Sequence, residues 1–312
     1  MEVIRKEYSI PSKSGVADVF ARCWSPADGS VKAVFQIAHG MAEHGERYED
    51  FANYLCSQGF AVLVNDHVGH GRSIKNDNDL GYFGESRGWD VLVEDERSLT
   101  EMIKAEYPDL PIVFFGHSMG SFVAREYIRR YGRDERIHAA VFCGTSGKNP
   151  AAAVAVTIAG TIAKAKGSKH RSKFINTIAF APYNSKTEKR TSFDWLSTDV
   201  AQVDKYIADK YCGFLFTAAG YKDLFSILNK VSGKDWYDEL YSEIPVLLTA
   251  GEADPVGAYG SGVKQVYNDL LAAGKKDVTL KLYPAMRHEI LNEVENKKVY
   301  ADIAAWALSK LK

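Results

Sequence analysis

A short apolar run, Ile112-Val113-Phe114-Phe115, leads directly into Gly116-His117-Ser118-Met119-Gly120. The run is β-branched and aromatic, as a buried strand requires. Val123, Tyr127 and Tyr131 behind it recur at helical spacing until Gly132 stops the pattern. The chain must therefore pass from strand to helix within a residue or two. At such a bend the serine takes strained backbone angles, and only small residues fit two positions away on either side. Glycines stand at both positions. Three fixed letters alone arise by chance in about one chain in ten of this size. The strand before them and the helix after them carry the inference.

The same alternation continues along the chain. Residues 34–38 and 61–64 read as buried strands, with a helix over residues 48–57 between them and Gly59 as its stop. Leu92, Leu99, Met102 and Ile103 mark one face of a helix ending before Pro108, and residues 139–143 form the strand after the serine's helix. Later come a strand at 245–250, a helix near 262–271, a strand at 278–283 and a final amphipathic helix with Val299, Ile303 and Trp306 inward. Near-continuous apolar strands in this order argue for a parallel sheet covered on both faces. Residues 8–10 and 16–24 look like an antiparallel pair leading into it. Between about 144 and 244 the rhythm breaks. An alanine- and valine-rich stretch to residue 163 precedes a basic cluster (Lys164, Lys166, Lys169, His170, Arg171, Lys173) and then scattered aromatics. The expected organisation is a core at 1–145, a mostly helical insertion at 146–243, and the rest of the core at 244–312.

With 312 residues, 46% of them hydrophobic, the chain can bury a large core. A net charge of −1 lacks the basic footprint of a nucleic-acid binder. Cys23, Cys56, Cys143 and Cys212 are widely spaced and read as small buried apolar residues. The first residues have no apolar signal region, and no stretch reaches the ~20 apolar residues a membrane span needs. A cytoplasmic setting is the expectation. Oligomeric state leaves no trace in these patterns.

A serine hydroxyl is a poor nucleophile near neutral pH. It needs an imidazole as base, and a carboxylate to fix the imidazole's tautomer. The bend resembles that of the α/β-hydrolase arrangement, in which the partners follow in the order Ser, acid, His. Asp254 lies just past the strand ending at Ala250, and His288, 34 residues later, lies past the strand ending at Tyr283. Both loops fall at carboxyl ends of strands, the edge where Ser118 sits. His39, His44, His67, His70 and His117 precede Ser118, and chain order disfavours them as the base. Developing negative charge on a carbonyl oxygen needs two backbone donors. The amide of Met119 is one; the amide of Met41, in the His39-Gly40 turn after residues 34–38, is the other. His67 and His70 lack a third ligand at convincing spacing, so no metal is expected.

His39-Gly40 with Glu43-His44 and Arg47-Tyr48, Asp66-His67 with Gly69-His70-Gly71-Arg72-Ser73, the Ser118 motif, Asp254-Pro255-Val256 and Arg287-His288-Glu289 occur in order along the chain. Together they resemble the monoacylglycerol lipase and lysophospholipase branch of the α/β-hydrolases, to which some serine aminopeptidases are related. The resemblance implies the α/β-hydrolase fold, a cofactor-free serine hydrolase, and a helical lid inserted before the acid-bearing strand. It assigns Ser118, Asp254 and His288 to the triad, and Met41 and Met119 to the oxyanion hole. Glu43, Arg47 and His117 match positions near the polar end of the substrate in relatives that bind monoglycerides. Ser121 and Val68 depart from the common pattern without touching the chemistry. The expected substrates are monoglycerides, lysophospholipids or short-chain esters. An aminopeptidase or amidase using Glu43 or an acidic lid residue to hold a substrate ammonium, and a non-catalytic receptor on the same scaffold, are the alternatives. The Ala-rich stretch reads either as a lid helix packed over the site or as one making transient membrane-surface contact beside the basic cluster. The aromatics behind it read as acyl-pocket lining or as the lid's own small core.

Overall fold

The computed structural model describes residues 2–240 and 243–311; Met1 and Lys312, the outer ends of the two expected core segments, lie outside it with Tyr241 and Ser242. Eight strands form one sheet: β1 (Val3–Pro11), β2 (Asp18–Pro26), β3 (Ala33–Ala38), β4 (Phe60–Asn65), β5 (Ile112–His117), β6 (Ile137–Cys143), β7 (Val246–Gly251) and β8 (Val278–Tyr283). Their order across the sheet is β1-β2-β4-β3-β5-β6-β7-β8. The expected antiparallel pair is β1 and β2, and β2 joins β4 antiparallel. Every later pairing is parallel. β3, β4, β5 and β7 are buried at every position, which is why their sequences run apolar without alternating.

Helices α1 (Glu49–Ser57), α2 (Gly88–Glu106) and α3 (Met119–Tyr131) follow β3, precede β5 and follow β5 respectively. Between β6 and β7 the chain leaves the sheet and forms α4 (Ala152–Lys166), α5 (Lys173–Phe180), α6 (Val200–Ala208), α7 (Ala218–Val231) and α8 (Lys234–Glu239). It returns through α9 (Ser261–Ala272) and α10 (Asn296–Ser309). One apolar layer joins the sheet to α2, α3, α7 and α9 through residues such as Leu99, Val123, Ile227 and Val266. The other joins it to α1 and α10 through Phe51, Leu55, Val299 and Ile303. This is the α/β-hydrolase architecture. All four cysteines are buried and unpaired.

The sheet's switch point is what matters for chemistry. β3 pairs with β4 on one side and β5 on the other, so the loops leaving β3 and β5 face each other across a crevice. Those loops carry His39-Gly40-Met41 and Ser118.

Candidate active site

Ser118 occupies the bend between β5 and α3 with φ 52° and ψ −120°, a conformation that only tight surroundings sustain. The flanking glycines explain how. A Cβ at Gly120 would lie 2.1 Å from the Ala38 carbonyl oxygen, and one at Gly116 would lie 2.2 Å from that of Gly120. Removing both side chains lets α3 start hard against β3 and β5. Met119 is the first residue of α3, so its N–H has no acceptor within the helix.

The second amide is oriented by a histidine. His67 N–H donates to His39 Nε2 at 2.9 Å, which leaves the proton on Nδ1 to donate to the Gly40 carbonyl at 2.8 Å. A trans peptide points its C=O and N–H in opposite directions. With the Gly40 carbonyl held by His39, the Met41 N–H turns the other way. Burial, with His67 and His70 nearby, holds His39 well below the usual imidazole range. Burial likewise pushes His67 down to about 4 and His70 down to about 3. These rings are neutral struts for two loops. Their geometry answers what the Asp66-His67 motif does: Asp66 accepts from Arg22, from the Gly45 N–H and from the Arg72 N–H, each at 2.8 Å.

His288 Nδ1 donates to Asp254 Oδ2 at 3.0 Å, and both side chains are buried. The Val256 N–H holds the other Asp254 oxygen at 2.8 Å, and the Ala253 N–H to Met286 carbonyl bond at 2.9 Å ties the two loops together. Asp254 thus leaves Nε2 of His288 free to accept a proton. Ser118 and His288 line the same cavity, of about 1210 Å³. Among the described residues the Ser118 hydroxyl makes no hydrogen bond, a looseness common in unliganded sites. The His288 ring is packed between His117, 4.7 Å away between centroids, and Trp195, 5.1 Å away.

Glu43, Arg47 and His117 form one buried network, completed by Glu289. Glu43 Oε1 accepts from the Gly40 N–H at 2.6 Å, Tyr48 Oη at 3.0 Å and His117 Nδ1 at 3.2 Å. Its other oxygen accepts from Arg47 at 2.5 Å. Arg47 also grips Glu289 with two bonds, at 2.8 and 2.6 Å. Burial opposes charge on Glu43, but Arg47 and His117 hold its carboxyl well below the usual range. Burial also opposes a charged His117, yet its bond to Glu43 raises it. The other ring nitrogen of His117 meets the His288 carbonyl at 3.3 Å. Glu43, His117 and Glu289 line the large cavity, whereas Arg47 sits one layer behind.

Nothing in the Arg287-His288-Glu289 motif marks Glu289 for this network, and the aromatics that include Trp195 and Tyr206 read as acyl-pocket lining or as the lid's own small core. Both do line the cavity, and Tyr206 belongs to a small cluster with Leu196, Cys212 and Phe193. Tyr206 Oη also donates to a backbone carbonyl and the Trp195 carbonyl accepts a backbone N–H, bonds that leave no sequence pattern. Among the described residues, His44, Asp209 and Cys212 alone bring three candidate ligand atoms together. There His44 Nε2 and Asp209 Oδ2 already bond each other at 2.8 Å.

A family model described as serine aminopeptidase, S33, matches residues 29–295. The chain is 28% identical over 310 residues to a monoacylglycerol lipase of Mycolicibacterium smegmatis, covering 98% of each. It is 30% identical over 294 residues to the human monoglyceride lipase, covering 92% of this chain and 86% of that protein. Among solved structures, a thermostable carboxyl esterase from Bacillus coagulans, in complex with glycerol, superposes with a TM-score of 0.92 at 29% identity over 99% of both chains.

Proposed function

This chain belongs to the serine aminopeptidase S33 family of α/β-hydrolases, and on that premise we propose that it cleaves carboxylic esters through an acyl-enzyme on Ser118. His288 takes the Ser118 proton as the hydroxyl oxygen attacks the ester carbonyl. The amides of Met41 and Met119 bind the resulting oxyanion, a role in which one donor is typically worth about 10²–10³ in rate. Imidazolium His288, stabilised by Asp254, then protonates the leaving alcohol. Water attacks the acyl-Ser118 ester with His288 again as base, and the acid departs. The observation that carries this reading is the buried Asp254–His288 pair at 3.0 Å beside the cavity that also holds Ser118.

The substrates proposed are single-chain lipid esters, monoglycerides or lysophospholipids, together with short-chain esters. The named relatives support this, and so does the cavity's apolar end with Ile158, Ile175, Phe214 and Leu228. Glu43 and His117 take the polar end, with Arg47 fixing their charge from behind. Residues 146–243 form the insertion that carries the proposed lid. Among the described residues no helix is long and apolar enough to cross a membrane; the proposed setting is cytoplasmic.

Glu43 also weighs against the aminopeptidase reading. A subsite for a substrate ammonium needs an uncommitted carboxylate, and Glu43 already accepts four donors, two of them on Arg47 and His117. Turnover of p-nitrophenyl esters against aminoacyl p-nitroanilides tests this. The ester reading expects faster ester cleavage, and faster anilide cleavage overturns it. Labelling by a fluorophosphonate probe, lost in Ser118→Ala, separates an enzyme from a receptor.

A further inference from the structure

The insertion does not behave as one piece. From Glu188 to Gly213 it is bonded to both loops that flank Ser118. On the base side, the His288 N–H donates to the Trp195 carbonyl at 3.4 Å and the Glu289 N–H to the Leu196 carbonyl at 2.7 Å. Arg287 reaches the Asp194 carbonyl at 2.7 Å, the Ser197 carbonyl at 3.2 Å and the Glu188 carboxylate at 2.7 Å. Buried Glu293 accepts from the Thr198 N–H at 3.1 Å and the Arg287 N–H at 2.7 Å, joining the two segments from a second side.

The oxyanion side is held as firmly. Tyr206 Oη and the Gly213 N–H both donate to the Ala42 carbonyl, at 2.9 and 3.0 Å. Ala42 follows Met41 and has φ 51°, so its peptide is in a left-handed turn that needs outside support. The Asp209–His44 bond adds a third tie to the same loop. Trp195 meanwhile places its indole against the His288 imidazole, 5.1 Å away between centroids and tilted by 40°. An aromatic face attracts a cation, so it favours the imidazolium that forms when His288 takes the serine proton.

We infer that residues 188–213 form a strap belonging to the catalytic scaffold, with Trp195 positioning the base and Tyr206 positioning the oxyanion loop. The inference rests on the proposed triad and deepens it. A lid has to leave the site for substrate to enter. This segment cannot leave without releasing His288 and the Met41 loop together. Occupancy of the cavity is therefore coupled to the catalytic geometry, because Trp195, Leu196, Tyr206 and Gly213 line the cavity on their inner side.

The test uses the full chain with p-nitrophenyl acetate, whose acyl group is too short to need the deep pocket. Loss of alignment lowers kcat, and misplacement near the reacting atoms can cost about 10²-fold. Trp195→Ala is expected to lower kcat about 10²-fold with KM nearly unchanged, and Trp195→Phe to recover most of the loss. Tyr206→Phe removes a single oxygen, keeps the ring, and is expected to lower kcat and the fluorophosphonate labelling rate about tenfold. Thermal unfolding confirms that each variant is folded; should Trp195→Ala not fold, Tyr206→Phe and Trp195→Phe decide. Altered KM at constant kcat would mean that these residues only line a pocket, and would overturn the strap. If wild type labels at Ser118 while the folded variants keep full kcat, the strap falls and the proposed function stands. If wild type does not label, both fall.

Discussion

Two halves of the insertion, adjacent in sequence, relate to the rest of the molecule in opposite ways. Helices α4 and α5 make no hydrogen bond to the sheet body among the described residues, and α4 buries only Ala152 and Ala159. Val154 and Phe174 are 60% and 61% exposed. The strap that follows is bonded at many points to the loops of Met41 and His288, and α7 behind it packs into the core beside α2 and α3. Helices α4 and α5 themselves lack such ties, but the turn between them is anchored. Lys169 pairs with Asp79 at 2.7 Å, and Arg171 donates to the Asp77 and Asn78 carbonyls at 3.3 and 3.4 Å. Motion at little cost is therefore open only to the two helices pivoting on that turn. The tied half lacks that freedom. On the proposed function, one insertion supplies both a substrate gate and a catalytic support, with the division near Tyr183 and Asn184.

Breaking what lies beneath the tied half is expected to have the largest consequences. Arg47→Met strands the buried carboxylates of Glu43 and Glu289 beneath Tyr206, whose ring faces the guanidinium at 4.9 Å. Loss of one partner from a buried ion pair typically costs about 3–5 kcal/mol, which denaturant unfolding would read. A loss under about 1 kcal/mol would show the network to be peripheral. Next comes Arg287→Ala, which frees the strap from the base loop. It is expected to lower kcat about 10²-fold for short esters while leaving the fold intact by circular dichroism.

A pH experiment sharpens the comparison further, because buried charge lies in the tied half. Burial pushes the Asp223 carboxyl of α7 up to about 7, against donation from the Trp89 and Gly88 amides. The folded state therefore holds a proton that the unfolded chain releases near the ordinary value of 3.8. The associated stability is complete below that value and is lost as pH rises through about 7. Asp223→Asn keeps an acceptor for those amides and removes the titration. Its melting temperature is expected to vary less between pH 4 and 8 than that of wild type; parallel profiles would contradict the assignment. The smallest effects belong to the loose half. Phe174→Ser on α5 is expected to change stability by no more than about 0.5 kcal/mol. Its effect should appear instead as a higher KM for long-chain esters and none for p-nitrophenyl acetate.

The sheet, and the positions of the proposed triad, were legible because their geometry demands particular residue types. Gly116 and Gly120 are required by the closeness of β3, β5 and α3, and an imidazole needs a carboxylate of Asp254's kind. The apolar runs of β3 to β7 announce burial on both faces. The strap uses the opposite currency. Many of its ties end on the backbone carbonyls of Ala42, Asp194, Trp195, Leu196 and Ser197, which any residue would supply. Glu289 escaped for a related reason, since a carboxylate beside the base looks like a solvated charge until Arg47 is seen to meet it across 242 residues.

The account depends above all on Ser118 becoming covalently acylated during turnover. Mass spectrometry of the intact protein, acid-quenched while hydrolysing a p-nitrophenyl ester, would read this directly. The expected result is a mass increase of one acyl group, mapped by peptide sequencing to Ser118 and absent in Ser118→Ala. Undiminished ester hydrolysis by Ser118→Ala, or an acyl group mapped to another residue, would contradict it.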